Sequence, residues 1–303
     1  MCHRKMSEYH EPVLLQESVD ALNLQKVGTY VDATYGGGGH SSEIIRRSPN
    51  IRLIAFDQDQ DAHDNKQLKE VELLNQNFRF LKNNLRLIGA LPVQGILADF
   101  GVSSHQFDVA ERGFSFRFES ELDMRMNQQS PLDAKQILNT YSLNKLTDIF
   151  REFGELRTAR KLAHLIIERR EVKPFLQTAD LVTLVERISN PKIFNKEMAK
   201  VFQALRIEVN DELGAIRHFL NQSLDVLEKG GRLVVISYHS LEDRLVKNFM
   251  RSGRFDGQLQ KDHFGRAETP WKVITRKVVV PTQEECDRNP RARSAKMRIA
   301  EKL

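Results

Sequence analysis

Cysteine is nearly absent from the 303 residues: Cys2 and Cys286 are the only two, and they share no ligand-like spacing. That excludes a disulfide framework, argues against a structural zinc or other metal site, and suits a reducing, cytoplasmic setting. Long apolar runs are missing as well. The longest, such as "LVVI" at 233–236, fall far short of a bilayer span, which takes roughly 20 residues. The opening "MCHRKMSEYHEP" has charge but no apolar core, so no secretory signal is expected. Charge of one sign is not abundant either, with a net of +5. It is unevenly placed, however. Residues 244–303 hold 15 Lys and Arg against 7 Asp and Glu, and the other 243 residues hold 31 against 34. A basic carboxy-terminal fifth fits a polyanionic partner or a solvated surface, and charge alone does not choose.

What is present reads as an α/β protein. "TYVDAT" (29–34), "IRLIAFD" (51–57), "GILADFG" (95–101) and "GRLVVISYH" (231–239) are short apolar runs that alternate with helical patterns, as in a parallel sheet. Three of them carry Asp32, Asp57 and Asp99 at the carboxyl edge, where open α/β sheets bind ligands. About 130 residues separate the third run from the fourth, more than a crossover needs. A helical insertion over 107–208 is therefore expected, with 1–106 and 209–303 forming the sheet domain. Within it Ala159, Leu162, Ala163, Ile166 and Ile167 follow helical spacing. The stripe Val209, Leu213, Ile216, Leu220, Leu224 and Leu227 predicts a crossover helix, ended by the glycines of "KGGRL". "KVITRKVVV" (272–280) and "KMRIAEKL" (296–303) predict a closing antiparallel pair; the intervening 251–271 shows little periodicity and is expected to be mobile.

The stretch "VDATYGGGGHSSEI" (31–44) sets four glycines between a strand and a helix. What is missing around them narrows the ligand. No lysine follows, so a Walker-type phosphate loop fails. Gly36 and Gly38 fit a dinucleotide fingerprint, but Ser41 stands at its third glycine, which weakens a pyrophosphate reader without excluding it. The third candidate is the S-adenosylmethionine loop of Rossmann-like methyltransferases, in which an acid ending the second strand takes the ribose hydroxyls. Asp57, 25 residues after Asp32, sits at that place. Two carboxylates suit ribose hydroxyls and a positive sulfonium, and suit pyrophosphate badly. Further on, Ser240 and Asp243 make a serviceable capping box, which leaves Tyr238 and His239 at the strand end unexplained. "RGFSF" and "LDMRM", within 112–126, fit core packing as well as substrate contact.

The blocks "EPVLL" (11–15), "VDATYGGGGHS", "DQD" (57–59), "DFGVSSHQFDVAERGFSF", "LDMRM", "FQALRIEVNDEL" (202–213), "GGRLVVISYHSLEDRLVK" and "NPRARSAKMRIAEK" run in order through nearly the whole chain. Together they closely resemble the bacterial ribosomal RNA small subunit methyltransferase H family. The resemblance implies a Rossmann-like class I methyltransferase sheet with an inserted all-helical domain, and S-adenosyl-L-methionine as cofactor. It implies cofactor contacts at Gly38, Gly39, His40, Asp57, Phe78, Asp99 and Gln106. The implied substrate is a cytidine in the decoding region of 16S rRNA, in the small ribosomal subunit, methylated on N4, with the helical insertion helping to hold the RNA. One departure is Gly154-Glu155-Leu156, where the family commonly carries Gly-Glu-Glu.

Cytosine N4 is a poor nucleophile because its lone pair is delocalised into the ring, so acceptors must turn the amine and one must take a proton. Many amino-methyltransferases use an Asp/Asn-Pro-Pro-aromatic turn for this; here the prolines are missing from Asp99-Phe100-Gly101-Val102. His239, with Ser237 or Tyr238 beside it, is the expected amine-positioning group, and Asp99 serves the cofactor, the amine or both. A cytosine-C5 mechanism needs a cysteine nucleophile, and neither cysteine lies near these motifs in sequence. Two rivals remain: a nicotinamide-dependent oxidoreductase, and a non-catalytic rRNA-binding assembly factor on the same fold. The basic "RNPRARSAKMR" (288–298) is the expected phosphate contact, through Arg291 and Arg293.

Overall fold

A computed structural model describes residues 12–24, 27–275 and 277–303, without the side chains of Ser104 and His105. Cys2, Glu11 of "EPVLL" and Arg276 of "KVITRKVVV" lie outside the described residues. The chain divides into two compact units: one runs to Gly101 and resumes at Leu213–Leu303, and the other is Val102–Glu212.

The first unit is built on a seven-stranded sheet. Its strands are β1 (Thr29–Asp32), β2 (Arg52–Asp57), β3 (Val71–Asn75), β4 (Val93–Asp99), β5 (Leu227–Ser237), β6 (Trp271–Val273) and β7 (Lys296–Lys302). They lie in the order β3-β2-β1-β4-β5-β7-β6. The first five are parallel, while β7 runs antiparallel to both β5 and β6. This is the parallel α/β sheet that the apolar runs predict, in the Rossmann-like form that the family resemblance implies. The strands are apolar because both faces are covered. Val31, Phe56, Ile96 and Val235 join one hydrophobic cluster, and Tyr30, Ala55, Leu97 and Val234 the other. Helix Glu212–Val226 covers the first face with Ile216, Phe219 and Leu220, and Leu14, Val19 and Ile44 cover the second. The strand order reverses between β1 and β4, which opens a crevice at their carboxyl ends.

Three details differ from the sequence reading. Strand β3 carries no unbroken apolar run, because as an edge strand only Val71 is fully buried. The glycines of "KGGRL" do not end a helix. They lie inside β5, where the register steps from Val93–Leu227 to Gly95–Arg232 and the extra residues loop out as a bulge. The stretch expected to be mobile contains a ribbon, Gln260–Lys261 paired with Ala267–Glu268.

The second unit is helical. Leu143–Glu152, Ala159–Val172, Thr178–Glu186 and Phe194–Asn210 pack around a core that includes Phe150, Leu162, Phe175 and Leu205. "LDMRM" belongs to that core: Leu122 and Met124 are fully buried. Asn210 accepts from Met126 N at 2.8 Å and donates to Met124 O at 2.8 Å, fixing the turn. Arg112 of "RGFSF" is buried and donates to the carbonyls of Arg125 and Met126 at 3.0 and 3.1 Å. Leu156, the departure from Gly-Glu-Glu, is buried in the same core, which explains an apolar residue there.

Phe56 is fully enclosed near the carboxyl end of β2, so Phe56→Ala should cost about 3–5 kcal/mol. Urea unfolding of the two proteins measures it, and a loss under about 1 kcal/mol would contradict the packing described.

Candidate functional site at the carboxyl edge of the sheet

The glycine run leaves β1 and enters helix Gly39–Arg47. Its path is set by carboxylates. Asp32 is fully buried; one oxygen accepts from Ser41 Oγ at 2.7 Å and the other from Thr34 N at 3.1 Å. Asp57 Oδ2 accepts from Gly36 N at 2.8 Å, and its Oδ1 accepts from Asp59 N at 2.9 Å. Gly36 and Gly38 have φ of 51° and 77°, the left-handed region that a side chain disfavours. At Gly36 a Cβ would meet nothing within 4 Å, so the backbone there faces open space. At Gly38 a Cβ would sit 2.7 Å from the Tyr35 ring, and at Gly39 it would sit 2.2 Å from Pro12. His40 is buried with Nε2 3.1 Å from Val13 O, pinning the helix start to the segment before it.

The neighbouring strand ends are joined to this loop. Asp99 N donates to Thr34 Oγ1 at 2.7 Å, and Tyr35 N donates to Phe56 O at 2.9 Å. Tyr238 Oη donates to Asp99 Oδ1 at 2.8 Å, so a side-chain hydrogen bond adds to the backbone pairing at the ends of β4 and β5. Burial pushes the carboxyls of Asp57 and Asp99 up to about 6 and raises that of Asp32. It also pushes the Tyr238 phenol well above its ordinary value, with the Asp99 charge adding to the effect. Beside the edge, Phe78 lies 5.6 Å from the Phe100 ring and 5.4 Å from Phe219, an aromatic cluster under β4.

Of the residues expected to act on substrate, Asp99 and Tyr238 are brought together. Ser237 Oγ is committed instead to Lys296 O, at 3.3 Å across the β5–β7 pair. His239 is the N-cap of helix Ser240–Ser252. Its Nδ1 accepts from Glu242 N at 3.4 Å, and Nε2 lies 3.1 Å from Glu242 Oε1. Glu242 Oε2 in turn accepts from the amides of Tyr238 and His239 at 2.8 and 3.2 Å. The capping box is thus His239 with Glu242, one residue earlier than the Ser240–Asp243 pair. Gln106 lies in helix Ser104–Asp108 of the other unit, where its Oε1 accepts from Ser103 N at 3.1 Å. The basic tail is partly neutralised: Arg298 makes a two-pronged bond to Asp243 at 2.7 and 3.1 Å, while Arg293 is exposed. Sequence reasoning passed over Thr34 and took Glu242 only as an acid in a helix's first turn. The three-residue spacing of Glu242 from His239 was the available signal for the latter.

With this geometry described, the chain can be set beside known proteins. The model of the MraW methylase family matches residues 7–303. Ribosomal RNA small subunit methyltransferase H of Flavobacterium johnsoniae is 51% identical over 298 residues, covering 98% of this chain and 98% of that protein. The protein of the same name from Phocaeicola vulgatus is 51% identical and covers 97% of each. That from Flavobacterium psychrophilum is 52% identical, covering 95% of this chain and 100% of its own length.

The raised carboxyls have a consequence for stability. A folded-state value of about 6 at Asp99, against an ordinary value of 3.8, means the folded form holds the proton more tightly than the unfolded chain. Ionisation therefore opposes folding, by an amount that grows as pH rises from about 4 and levels off above about 6. Asp99→Asn should melt above the parent at pH 7.5 and lose most of that advantage at pH 4.5. Thermal melts at the two pH values check this; a difference independent of pH would show that burial does not oppose ionisation of Asp99.

Proposed function

Because the chain belongs to the MraW methylase family, we propose that it transfers a methyl group from S-adenosylmethionine to N4 of a decoding-region cytidine in small-subunit rRNA, in the cytoplasm. The observation that carries this reading is the joined edge. An open, left-handed backbone at Gly36 is bonded to Asp57, and the Asp99–Tyr238 pair stands on the strand beyond. Carboxyls raised by burial favour a cationic ligand, whose charge would relieve their ionisation. They disfavour the pyrophosphate of a nicotinamide cofactor.

The residues fit the cofactor part by part. Asp57 would take the ribose hydroxyls. The first-turn N–H groups at Gly39 and His40 would take the methionine carboxylate, as helix N-termini do for anions. Phe78 would flank the adenine. When bound, S-adenosylmethionine supplies an electrophilic methyl group for an in-line displacement. Asp99 is the acceptor for the amine: Tyr238 occupies Oδ1, and Oδ2 would take the amine. A carboxyl near 6 is matched to accepting a proton at neutral pH. His239 and Glu242 act through Tyr238, because Glu242 holds the two amides that set its strand end. Ser237 supports the sheet. The helical unit supplies additional grip on the RNA.

In cells lacking the protein, mass mapping of small-subunit rRNA should find the decoding cytidine without its N4 methyl group; unchanged methylation would sink the proposal. In vitro, Asp99→Asn should lower kcat by about 10²–10⁴, with the KM for S-adenosylmethionine changed far less. S-adenosylmethionine, and not NAD, should raise the melting temperature. An assembly factor without activity would bind the RNA and transfer no labelled methyl group.

A further inference from the structure

The segment between helix Ser240–Ser252 and β6 is firmly fixed at one end and bare at the other. At its base Phe255 stacks on Phe249 at 5.1 Å with 22° between the rings, and the Arg217 guanidinium lies 4.9 Å over Phe255. Asn248 donates to Phe255 O at 2.8 Å, and Arg251 bonds Gly257 O. Beyond this the chain forms the two-stranded ribbon Gln260–Lys261 with Ala267–Glu268. Asp262 closes its tip: Oδ1 accepts from Phe264 N at 2.9 Å and from Arg266 N at 2.8 Å. Asp262 N donates to Arg266 O at 2.9 Å.

That cage holds the backbone of Phe264 while its ring is 87% exposed. Lone exposed apolar residues are ordinary on protein surfaces. What sets this one apart is its setting. Lys261, His263 and Arg266 are exposed around it, and the Asp262 carboxylate among them is turned onto backbone amides. Glu268, at the foot of the ribbon, is also exposed. An aromatic face flanked by cations matches an unpaired base with its neighbouring phosphates. The exposed Lys261 and Arg266 favour an anionic strand over an apolar protein surface.

The position is informative. Helix Ser240–Ser252 starts at the carboxyl edge and runs roughly 20 Å back along the sheet. The ribbon therefore leaves from the edge opposite Asp99 and Tyr238.

We propose that residues 258–270 form a second RNA contact, remote from the methylated base, in which Phe264 stacks on an unpaired base and Lys261 and Arg266 meet flanking phosphates. This rests on the rRNA methyltransferase reading and adds to it that the substrate must be large enough to reach both edges of the sheet.

The test compares methyl transfer to whole small-subunit particles with transfer to a short RNA carrying only the target loop. Phe264→Ala should raise KM for the particle about tenfold, change kcat less than about twofold, and leave the short RNA unaffected. Phe264→Trp should retain activity. Its emission should be quenched by particles, readable against the buried Trp271. Unchanged KM for Phe264→Ala on the particle overturns the proposal. So does wild-type KM for Phe264→Leu, which would mark an apolar protein contact. If the wild-type chain transfers no methyl group to either substrate, the functional reading fails by itself. The ribbon is then judged by direct rRNA affinity, which Phe264→Ala must weaken.

Discussion

Two carboxylates hold the glycine loop, and the rest of the site depends on them. Asp32 fastens the loop from below, through Thr34 N and Ser41 Oγ, and Asp57 fastens it from the side, through Gly36 N. Without them the run of glycines would have no preferred path, since glycine gives up more backbone freedom on folding than any other residue. With them, the loop is also the hinge point of the sheet edge. Thr34 carries the amide of Asp99, and Asp99 carries the hydroxyl of Tyr238. The chain of bonds passes from β1 to β4 to β5 without leaving the carboxyl edge.

The arrangement opposes stability and favours binding. Carboxyls raised by burial cost folding energy when they ionise at neutral pH, and a site made of them is stabilised by whatever cation enters. The same desolvation leaves Asp99 with a proton affinity suited to accepting an amine proton. In the proposed reading, one physical cause, desolvation of these acids, serves ligand recognition and proton transfer together. It also explains why no lysine is found in the loop: a resident cation would discharge the acids before any ligand arrived.

Much of this was legible in the sequence. Buried parallel strands are unbroken apolar runs, so β1, β2, β4 and β5 could be read with their acids at the carboxyl end. Edge strand β3 alternates weakly and could not. Asp57, Asp99 and Tyr238 could be placed at one edge from the sequence because strand ends fix their positions. What a side chain does after the strand end was not legible. Ser237 and His239 flank Tyr238 in sequence, yet one hydroxyl turns into the β5–β7 pair and the other ring turns onto its own helix. Alternation along a strand sends neighbours to opposite faces, and a helix cap claims the first polar group it meets. Both effects are local: the first leaves no motif, and the second shows only in the three-residue spacing of Glu242 from His239.

The glycines show the same limit from the other direction. A run of four invites a single explanation, close approach of a ligand. The structure divides the cause. Gly39 is bare because Pro12 lies against it, and Gly38 because of its left-handed backbone and the Tyr35 ring. Gly36 alone among these three is left-handed with nothing of the chain beside it. The backbone that faces open space is therefore the first turn of the loop, where Asp57 holds the amide. The bare Cα positions of the later glycines are set by packing at the helix start, which leaves their N–H groups for the role proposed above. A side chain at Gly39 would disturb folding before it disturbed binding, whereas one at Gly36 would project into the space that a ligand needs.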